Sequence, residues 1–314
     1  MSESDTTPIL IAGPTASGKS ALALALAERL DGCIINADSM QVYDVLRELT
    51  ARPSDEEEAR APHRLYGHVP PAVPYSVGQW QSEAMAEIAV ARAAGQVPIV
   101  IGGTGLYFKS LTEGLVDIPD IDDATRSTWR ARLAEEGSPA LHAVLAEVDA
   151  ALAARLAPND QQRILRGLEV YHATGTPLSE WQKVEPIAPL GKAHKILLMP
   201  ERDWLYGRCN ARFEQMLAGA AKDEVAHLWA LNLAPDMPVM KALGVKEILA
   251  LMAGELDVIE ATQAAQQATR RYAKRQMTWF RNQMRDWQVF SEQEYVRKQS
   301  KILSFISKND LTAK

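Results

Sequence analysis

Apolar and polar positions form regular blocks along the first hundred residues, and these blocks predict strands and helices in turn. Short apolar runs at residues 8–12 (PILIA), 33–36 (CIIN) and 97–101 (VPIVI) are typical of buried strands. Between them, residues 17–30 and 77–94 repeat apolar side chains at helical spacing. Alternating strands and helices predict an α/β fold, a parallel sheet flanked by helices that binds its ligand at the carboxyl ends of the strands.

The middle of the chain has a different pattern. Residues 116–123 (VDIPDIDD) are acidic, and from there to residue 192 we predict only helices separated by Gly and Pro turns. A buried strand returns at residues 196–199 (ILLM), and we expect the tail from Tyr295 to be frayed. Three further helices are predicted at residues 205–217, 223–231 and 261–287. The expected domains are a core of residues 1–117 and 194–314 and an inserted all-helical domain of residues 118–193.

Length and composition exclude several classes of protein. At roughly 150 residues per domain, the 314 residues allow two domains. Hydrophobic residues make up 47% and charged residues 24%, which excludes extensive disorder. No apolar run approaches the ~20 residues that cross a bilayer, so we expect a cytoplasmic protein with no membrane contact. Only Cys33 and Cys209 are present, and we expect both in the core rather than in disulfides or a zinc site.

A phosphate-binding loop is the strongest motif in the chain. Residues 13–20 (GPTASGKS) match G-x-x-x-x-G-K-[ST] and lie between a predicted strand and a predicted helix. Backbone N–H groups of such a loop converge on a phosphate, Lys19 adds a positive charge, and the Ser20 hydroxyl suits Mg²⁺. The motif does not distinguish a nucleoside triphosphate from a diphosphate ester. The predicted diphosphate-binding residues are Gly13, Pro14, Thr15, Ala16, Ser17, Gly18, Lys19 and Ser20.

Two more polar loops follow predicted strands and should lie at the same edge of the sheet. Asp38 comes directly after the second strand, where its carboxylate suits a magnesium ligand, a general base or a helix N-cap. Residues 102–105 (GGTG) follow the third strand and contain Thr104, whose hydroxyl can donate to an oxyanion. A plain turn is the alternative for this second loop.

Two arginines complete the candidate phosphate site. Arg208 and Arg212 are four residues apart and therefore share one face of a predicted helix. Their guanidinium groups could hold a departing pyrophosphate. Taken alone, the spacing fits equally well with arginines that are solvated or paired with Glu201 and Glu214.

A cationic helix is predicted near the end of the chain. Residues 261–285 contain six basic and no acidic side chains, although the net charge of the protein is −6. The basic residues that share one sector of a helical wheel are Arg270, Lys274, Arg281 and Arg285. This face suits a nucleic-acid backbone, and a merely solvated face is the alternative. In the insertion, residues 158–166 (PNDQQRILR) predict a helix start followed by a second, smaller basic edge.

Several motifs in this order resemble one family. They are GPTASGKS, NADSMQVY (36–43), PHRLYGH (62–68), IGGTGLYFKSLTEG (101–114), NDQQRILRGLEVY (159–171), ERDWLYGRCNARFEQML (201–217) and ATRRYAKRQMTWFRNQ (268–283). Together they span most of residues 8–287 and resemble the tRNA dimethylallyltransferases, also called the IPP transferase family. The resemblance implies a P-loop NTPase-like core with the helical insertion bound to the tRNA anticodon stem-loop.

The resemblance also implies a reaction and a set of roles. A dimethylallyl group would pass from dimethylallyl diphosphate to N6 of adenosine-37 beside the anticodon, with Mg²⁺ as cofactor. Asp38 would be the base, while Lys19, Ser20 with Mg²⁺, Thr104 and Arg212 would hold the diphosphate, assisted by Arg208. We expect the enzyme to act as a monomer. The implied tRNA-binding residues are Asp38, Ser39, Met40, Gln41, Thr104, Arg126, Gln162, Arg163, Ile164, Leu165, Arg166, Lys241, Gly244, Lys274, Arg275, Gln276, Trp279 and Arg281.

One segment departs from the family pattern, and three other functions compete with this one. Residues 241–247 read KALGVKE where many relatives resemble R-C-V-G-Y-R-Q, so the RNA contacts of this segment are open. A P-loop small-molecule kinase fits the phosphate loop and Asp38 but leaves the cationic helix unexplained. A prenyltransferase acting on free AMP predicts catalysis without tRNA. An RNA-binding regulator predicts RNA binding without a product.

Overall fold

The computed structural model describes residues 6–293 and 295–311 and divides the chain into two compact units. One unit comprises the chain up to Thr112 and from Pro189 onward, and the other is Glu113–Ala188. Both boundaries lie a few residues before those expected from the sequence. The reason is that Leu190 already bonds to the first unit, because its N–H donates to the carbonyl of Leu111 at 3.1 Å.

A six-stranded, fully parallel sheet forms the centre of the first unit. Its strands are β1 (Ile9–Ala12), β2 (Gly32–Asn36), β3 (His63–Arg64), β4 (Val97–Gly102), β5 (His194–Leu198) and β6 (Gln288–Phe290). Their spatial order is β3-β2-β4-β1-β5-β6, and every neighbouring pair is parallel. The predicted parallel sheet is confirmed. The sequence pattern missed only β3 and β6, which are too short to show a periodicity.

Helices supply the rest of the regular structure. In chain order, those of the described residues are α1 (Lys19–Leu30), α2 (Asp55–Arg60), α3 (Val77–Ala93), α4 (Gly105–Glu113), α5 (Asp123–Glu136), α6 (Ser138–Val148), α7 (Ala150–Ala153), α8 (Gln161–Thr174), α9 (Leu178–Trp181), α10 (Arg202–Ala218), α11 (Ala221–Ala230), α12 (Val245–Met252), α13 (Val258–Gln283) and α14 (Tyr295–Leu311). A short 3₁₀ helix, Pro238–Lys241, precedes α12. None of these helices is both long and apolar enough to span a membrane.

The sheet has a hydrophobic core on each face because successive side chains of a strand point in opposite directions. From β1, Ile9 and Ile11 pack with α1 on one face. Leu10 and Ala12 point to the other face, where α3, α4 and α13 cover the sheet. Both cysteines are buried and free, as the composition predicts. The core therefore fixes the carboxyl ends of the strands, from which the polar loops emerge.

The tail from Tyr295 corrects one expectation, because it forms α14 instead of a frayed end. Ile302 and Ile306 recur at helical spacing and are 0% and 7% exposed, packed in the core on the α1 face of the sheet. Phe305, three residues after Ile302, packs against the same core. Burial of this apolar stripe stabilises the helix.

The second unit is a small helical domain with its own core. Helix α8 packs against α5 and α6, and the core side chains include Trp129, Leu145 and Leu168. Asp160 caps α8, as one of the two residues predicted for this role. Ile164 is 0% exposed within this core. The prediction that the Ile164 side chain contacts RNA is therefore wrong, because this side chain lies on the apolar face of α8, which packs into the core.

Candidate active site

The phosphate-binding loop joins β1 to α1 and contains an unusual backbone. Ala16 has φ +62°, a left-handed conformation that non-glycine residues rarely adopt. Arg208 stabilises this loop, because its Nε donates to the carbonyl of Ala16 at 3.0 Å. The Ser17 hydroxyl is fully buried in the same loop and has no hydrogen-bond partner. The loop therefore combines a strained, tethered backbone with an unpaired polar group, as expected of a ligand-binding loop.

Beside this loop lies a cavity of about 600 Å³, which we call the larger cavity. Its lining includes Lys19, Ser20, Asp38, Arg208 and Arg212. Three cations, a hydroxyl and a carboxylate thus face one space at the carboxyl edge of the sheet. Such a concentration of positive charge suits a diphosphate.

Lys19 lies at the start of α1, and its ammonium group donates to the carbonyl of Pro14 at 2.7 Å. Burial lowers the pKa of Lys19 from 10.5 to about 8, and the charge of Asp38 opposes this shift only in part. Near neutral pH the side chain is therefore protonated. Above pH 8 it loses the charge that attracts a phosphate.

We expect this titration to control donor binding. At saturating RNA, kcat/KM for dimethylallyl diphosphate should fall about tenfold per pH unit above pH 8, since this parameter reports the ionisations of the enzyme form that binds the donor. The measurement is a pH–rate profile from pH 6.5 to 9.5 at saturating RNA. In Lys19→Arg the cation persists across this range, so the fall should disappear. A fall retained in that variant would assign the titration to another group.

Asp38 is held by a buried asparagine that sequence reasoning missed. Asn36 ends β2 at 0% exposure, and its side chain accepts from the N–H of Asp38 at 2.9 Å. It also donates to the carbonyls of Asp38 and Leu65 at 3.0 and 2.9 Å. The Asp38 carboxylate accepts from the N–H of Met40 at 3.0 Å. A turn follows rather than a helix, so the alternative of a helix N-cap is wrong.

Thr104 lies beside Asp38 because the GGTG loop is tied to the loop after β2. The hydroxyl of Thr104 accepts from the N–H of Ser39 at 3.0 Å and lies 3.3 Å from the Ser39 hydroxyl. The N–H of Thr104 donates to the carbonyl of Ala37 at 3.2 Å. These bonds bring the loops after β2 and β4 together, as the parallel topology predicts.

The two arginines of α10 both face the phosphate-binding loop. Arg212 donates to the Thr15 hydroxyl, and burial lowers the pKa of its guanidinium. Arg208 is exposed and also lies 5.0 Å above the ring of Trp204. The alternative that these two arginines pair with Glu201 and Glu214 is therefore wrong. Glu201 instead caps α10, and Glu214 accepts from a glutamine of α13.

A second cavity of about 250 Å³, the smaller cavity, adjoins the larger one. Thr15, Asp38 and Arg212 line both cavities. The smaller cavity has apolar walls that include Phe213 and Met216. The Asp38 carboxylate thus stands between a cationic diphosphate chamber and a partly apolar one. This arrangement can bring two different substrates to one carboxylate.

The segment after Asp38 and the KALGVKE segment border the smaller cavity. Ser39, Met40 and Lys241 line it. The side-chain amide of Gln41 instead donates to the backbone carbonyl of Thr50 at 2.8 Å. Gly244 opens α12 with φ +92°, and a Cβ there would lie 2.9 Å from carbon atoms of both Leu49 and Phe213. Gly244 therefore has a structural reason to be glycine.

Helix α13 separates the expected RNA-binding residues into two sets. Lys274, Arg275 and Arg281 are exposed, which fits an outward cationic face. Arg270 is half-buried and bonds to the side chain of Asn210 at 2.7 Å. The prediction that Arg270 belongs to the cationic face is therefore wrong. Gln276 is 6% exposed and points inward. Trp279 is half-buried and packs on Gly105, the first residue of α4.

In the helical unit, the remaining expected RNA-binding residues lie near α5 and α8. Gln162 is exposed, whereas Leu165 packs partly against the domain core. Arg163 is exposed and lies 3.5 Å from Asp160. Arg126 of α5 lies 3.5 Å from Asp123. The half-buried Arg166 lies near Arg126, and burial lowers its pKa. The unit thus presents a basic edge on its own surface.

A phosphate-binding loop on a parallel sheet, with a carboxylate at the end of the neighbouring strand, defines the chain as a P-loop enzyme. Comparison with known proteins narrows this class. The model of the IPP transferase family matches residues 41–283, and that of the isopentenyl transferases matches residues 7–68. The chain belongs to the IPP transferase family.

Individual relatives align with this chain over most of their length. The tRNA dimethylallyltransferase of Chelativorans sp. is 56% identical over 89% of this chain and 97% of its own. That of Parvibaculum lavamentivorans is 53% identical over 99% of both chains. The solved tRNA isopentenylpyrophosphate transferase of Bacillus halodurans aligns with a TM-score of 0.69 at 34% identity, covering 97% of this chain and 96% of its own. A eukaryotic dimethylallyltransferase solved while acting on tRNA aligns with a TM-score of 0.81 at 26% identity, covering 98% and 80%.

Proposed function

We propose that this chain is a tRNA dimethylallyltransferase that joins a dimethylallyl group to N6 of adenosine-37, beside the anticodon. The products are N6-(dimethylallyl)adenosine and diphosphate. The observation that carries the proposal is the position of Asp38, whose carboxylate borders both the cationic larger cavity and the smaller cavity. The relatives named above support the same reaction. We also propose that the enzyme acts as a monomer in the cytoplasm.

The donor end of the reaction requires a stabilised leaving group. The bond between the allylic carbon and the diphosphate oxygen breaks, and its electrons pass to the diphosphate. Lys19 and Arg212 line the chamber that would hold this growing charge, and Thr104 offers a hydroxyl from the loop that bonds to Ser39, the residue after Asp38. Fixed donors aimed at developing charge lower the barrier because they need no reorganisation during the reaction.

The acceptor end requires a base, because N6 of adenine is a weak nucleophile. As N6 bonds to the allylic carbon, the Asp38 carboxylate accepts the N6 proton. The buried Asn36 fixes the backbone of Asp38, and the N–H of Met40 holds one carboxylate oxygen. We expect the other oxygen to accept the proton. A base in the anticodon loop can leave its stack at lower cost than one in a duplex.

Magnesium fits the residues of the larger cavity as a companion of the diphosphate. The Ser20 hydroxyl supplies an oxygen ligand of the kind that this ion prefers. Among the described residues, no group of three or more His, Cys, Asp or Glu forms a complete protein site. We therefore propose that Ser20 holds an Mg²⁺ that arrives with the diphosphate. When bound, the ion neutralises charge on the leaving group.

We propose an RNA-binding set of residues in each unit. In the first unit the set is Lys274, Arg275 and Arg281 of α13, and in the helical unit it is Arg126 with the exposed arginine and glutamine at the start of α8. These side chains are exposed or half-buried and largely cationic. Contacts with phosphates would add affinity without reading sequence. In a protein whose net charge is −6, the basic run on α13 stands out from the rest of the sequence.

Salt dependence tests the cationic face of α13. Lys274→Ala and Arg281→Ala should each weaken tRNA binding and reduce the slope of log K against log salt by about one unit. The matched control is Lys222→Ala, which removes an exposed lysine of α11 and should leave the slope unchanged. Filter binding between 50 and 300 mM salt gives the slopes. Equal slopes in all four proteins would make the face a solvated surface without RNA contacts.

Parallel reactions separate the proposed function from its rivals. Purified protein with Mg²⁺ receives either dimethylallyl diphosphate or ATP as donor and either unmodified tRNA or AMP as acceptor. We expect transfer only with dimethylallyl diphosphate and tRNA. Phosphoryl transfer from ATP to a small acceptor would establish the kinase. Prenylated AMP would establish the free-nucleotide enzyme, and RNA binding without any product would establish the regulator.

A further inference from the structure

Gln276 is a buried glutamine of α13 whose amide bonds to two different loops of the candidate active site. Its Oε1 accepts from the N–H of Thr15 at 2.9 Å, and its Nε2 donates to the carbonyl of Gly103 at 2.9 Å. Thr15 follows β1, and Gly103 follows the neighbouring β4. One side chain therefore joins the phosphate-binding loop to the GGTG loop.

The fit around this amide is close. A Cβ at Gly103 would overlap Nε2 of Gln276, so the loop approaches the helix only because residue 103 is glycine. One turn along α13, the ring of Trp279 packs in the same way on Gly105. The inner side of α13 is thus seated against the GGTG loop at two successive turns.

Both loops held by Gln276 carry groups proposed for the reaction. Thr15 also accepts a bond from Arg212, so its backbone and its hydroxyl are both held. Gly103 precedes Thr104, whose hydroxyl bonds to the N–H of Ser39, next to Asp38. One amide therefore ties the phosphate-binding loop to the loop that carries Thr104.

We propose that Gln276 is a positioning residue, which sets the distance between the phosphate-binding loop and the Thr104 loop during prenyl transfer. This inference rests on the proposed function. It assigns to Gln276 an internal role in place of the RNA contact that the family resemblance implies. Because reacting groups must be aligned closely, a small displacement of either loop slows transfer far more than it destabilises the fold.

The chain offers a matched control on the same helix. Gln266 is also buried, at 9% exposure, and donates to the carbonyl of Asn210 at 3.3 Å and to Glu214 at 2.8 Å. Among the described residues, these bonds go to α10 and not to the phosphate-binding or GGTG loop. Gln266→Met and Gln276→Met therefore make the same chemical change at similar burial, and only the second releases the active-site loops.

The experiment compares these two variants with the wild type. We measure kcat, KM for dimethylallyl diphosphate, Kd for tRNA, and Kd for inorganic diphosphate with Mg²⁺ by calorimetry. Gln276→Met should raise the diphosphate Kd and the donor KM and lower kcat, each by about tenfold, with tRNA Kd changed less than about twofold. Gln266→Met should retain wild-type kinetics even where its melting temperature falls. Gln276→Glu, which keeps the acceptor for Thr15 but lacks the donor for Gly103, makes the same comparison if the methionine variant does not fold.

Two outcomes would overturn the inference. Equal kinetic losses in Gln266→Met and Gln276→Met would reduce Gln276 to a core residue. A raised tRNA Kd with unchanged diphosphate binding would make it an RNA contact. Failure of the proposed function is distinguishable, because the wild type would then form no prenylated RNA. The diphosphate affinities would still compare the two variants.

Discussion

Asp38→Asn should lower kcat for prenyl transfer by about 10²- to 10⁴-fold, the range that general-base catalysis supplies. The amide of asparagine can still accept from the N–H of Met40, so the turn that Asp38 makes should persist. It cannot take up the N6 proton, because an amide oxygen is not basic. Binding of tRNA and of the donor should therefore change little. Single-turnover kinetics with prebound tRNA measures the chemical step directly.

The control for this change is Asp44→Asn, six residues further along the same segment. Asp44 is exposed and lines neither cavity, so its loss should leave kcat unchanged. Wild-type turnover in Asp38→Asn would remove Asp38 from the mechanism. A large rise in tRNA Kd with little change in kcat would make it a binding residue instead.

Arg212→Lys should lower kcat by about 10²-fold, the lower end of the effect of removing one preorganised donor in an oxyanion site. Arg212 faces both cavities and donates to the hydroxyl of Thr15, so its planar guanidinium can hold the loop and the diphosphate together. Lysine keeps the charge but cannot make both contacts. The measurement is the donor dependence of kcat and KM.

Arg208→Lys is the matched comparison, one helical turn earlier. Arg208 is exposed, donates to the carbonyl of Ala16 and lies over the ring of Trp204. Its replacement should raise the donor KM by less than about fivefold and leave kcat nearly unchanged. An equal loss of kcat in the two variants would contradict the claim that Arg212, which lines both cavities, contributes more to catalysis than Arg208.

The fold could be predicted largely because its signals are local. The apolar runs of β1, β2, β4 and β5 and the helical spacing of α1 and α3 identify a parallel α/β sheet, and the phosphate-binding motif locates its functional edge. The frayed tail was the clearest error. The stripe of Ile302, Phe305 and Ile306 predicts a packed helix only when the sheet face that buries it is known. Strand β3 has two residues and shows no pattern at all.

The candidate site was predicted where side-chain chemistry is visible in a motif. Lys19, Asp38 and Arg212 line the adjoining cavities, and Thr104 bonds to Ser39, the residue after Asp38. The roles of these residues stay predictions until tested. What sequence could not predict is the set of buried amides that fix these groups. Asn36 reads as part of an apolar run, and Gln276 lies among cations. Only tertiary structure shows that each bonds to distant backbone groups, because hydrogen-bond partners far apart in the chain leave no periodicity.

The central claim is most directly tested by weighing the nucleosides of reacted RNA. Purified protein, Mg²⁺ and dimethylallyl diphosphate are incubated with unmodified tRNA whose anticodon is followed by adenosine, and the RNA is digested for mass spectrometry. The account predicts an adenosine heavier by one dimethylallyl group, located only at position 37 and formed at a greatly reduced rate by Asp38→Asn. Unmodified adenosine at that position, or prenylation of other adenosines at the same rate, would contradict it.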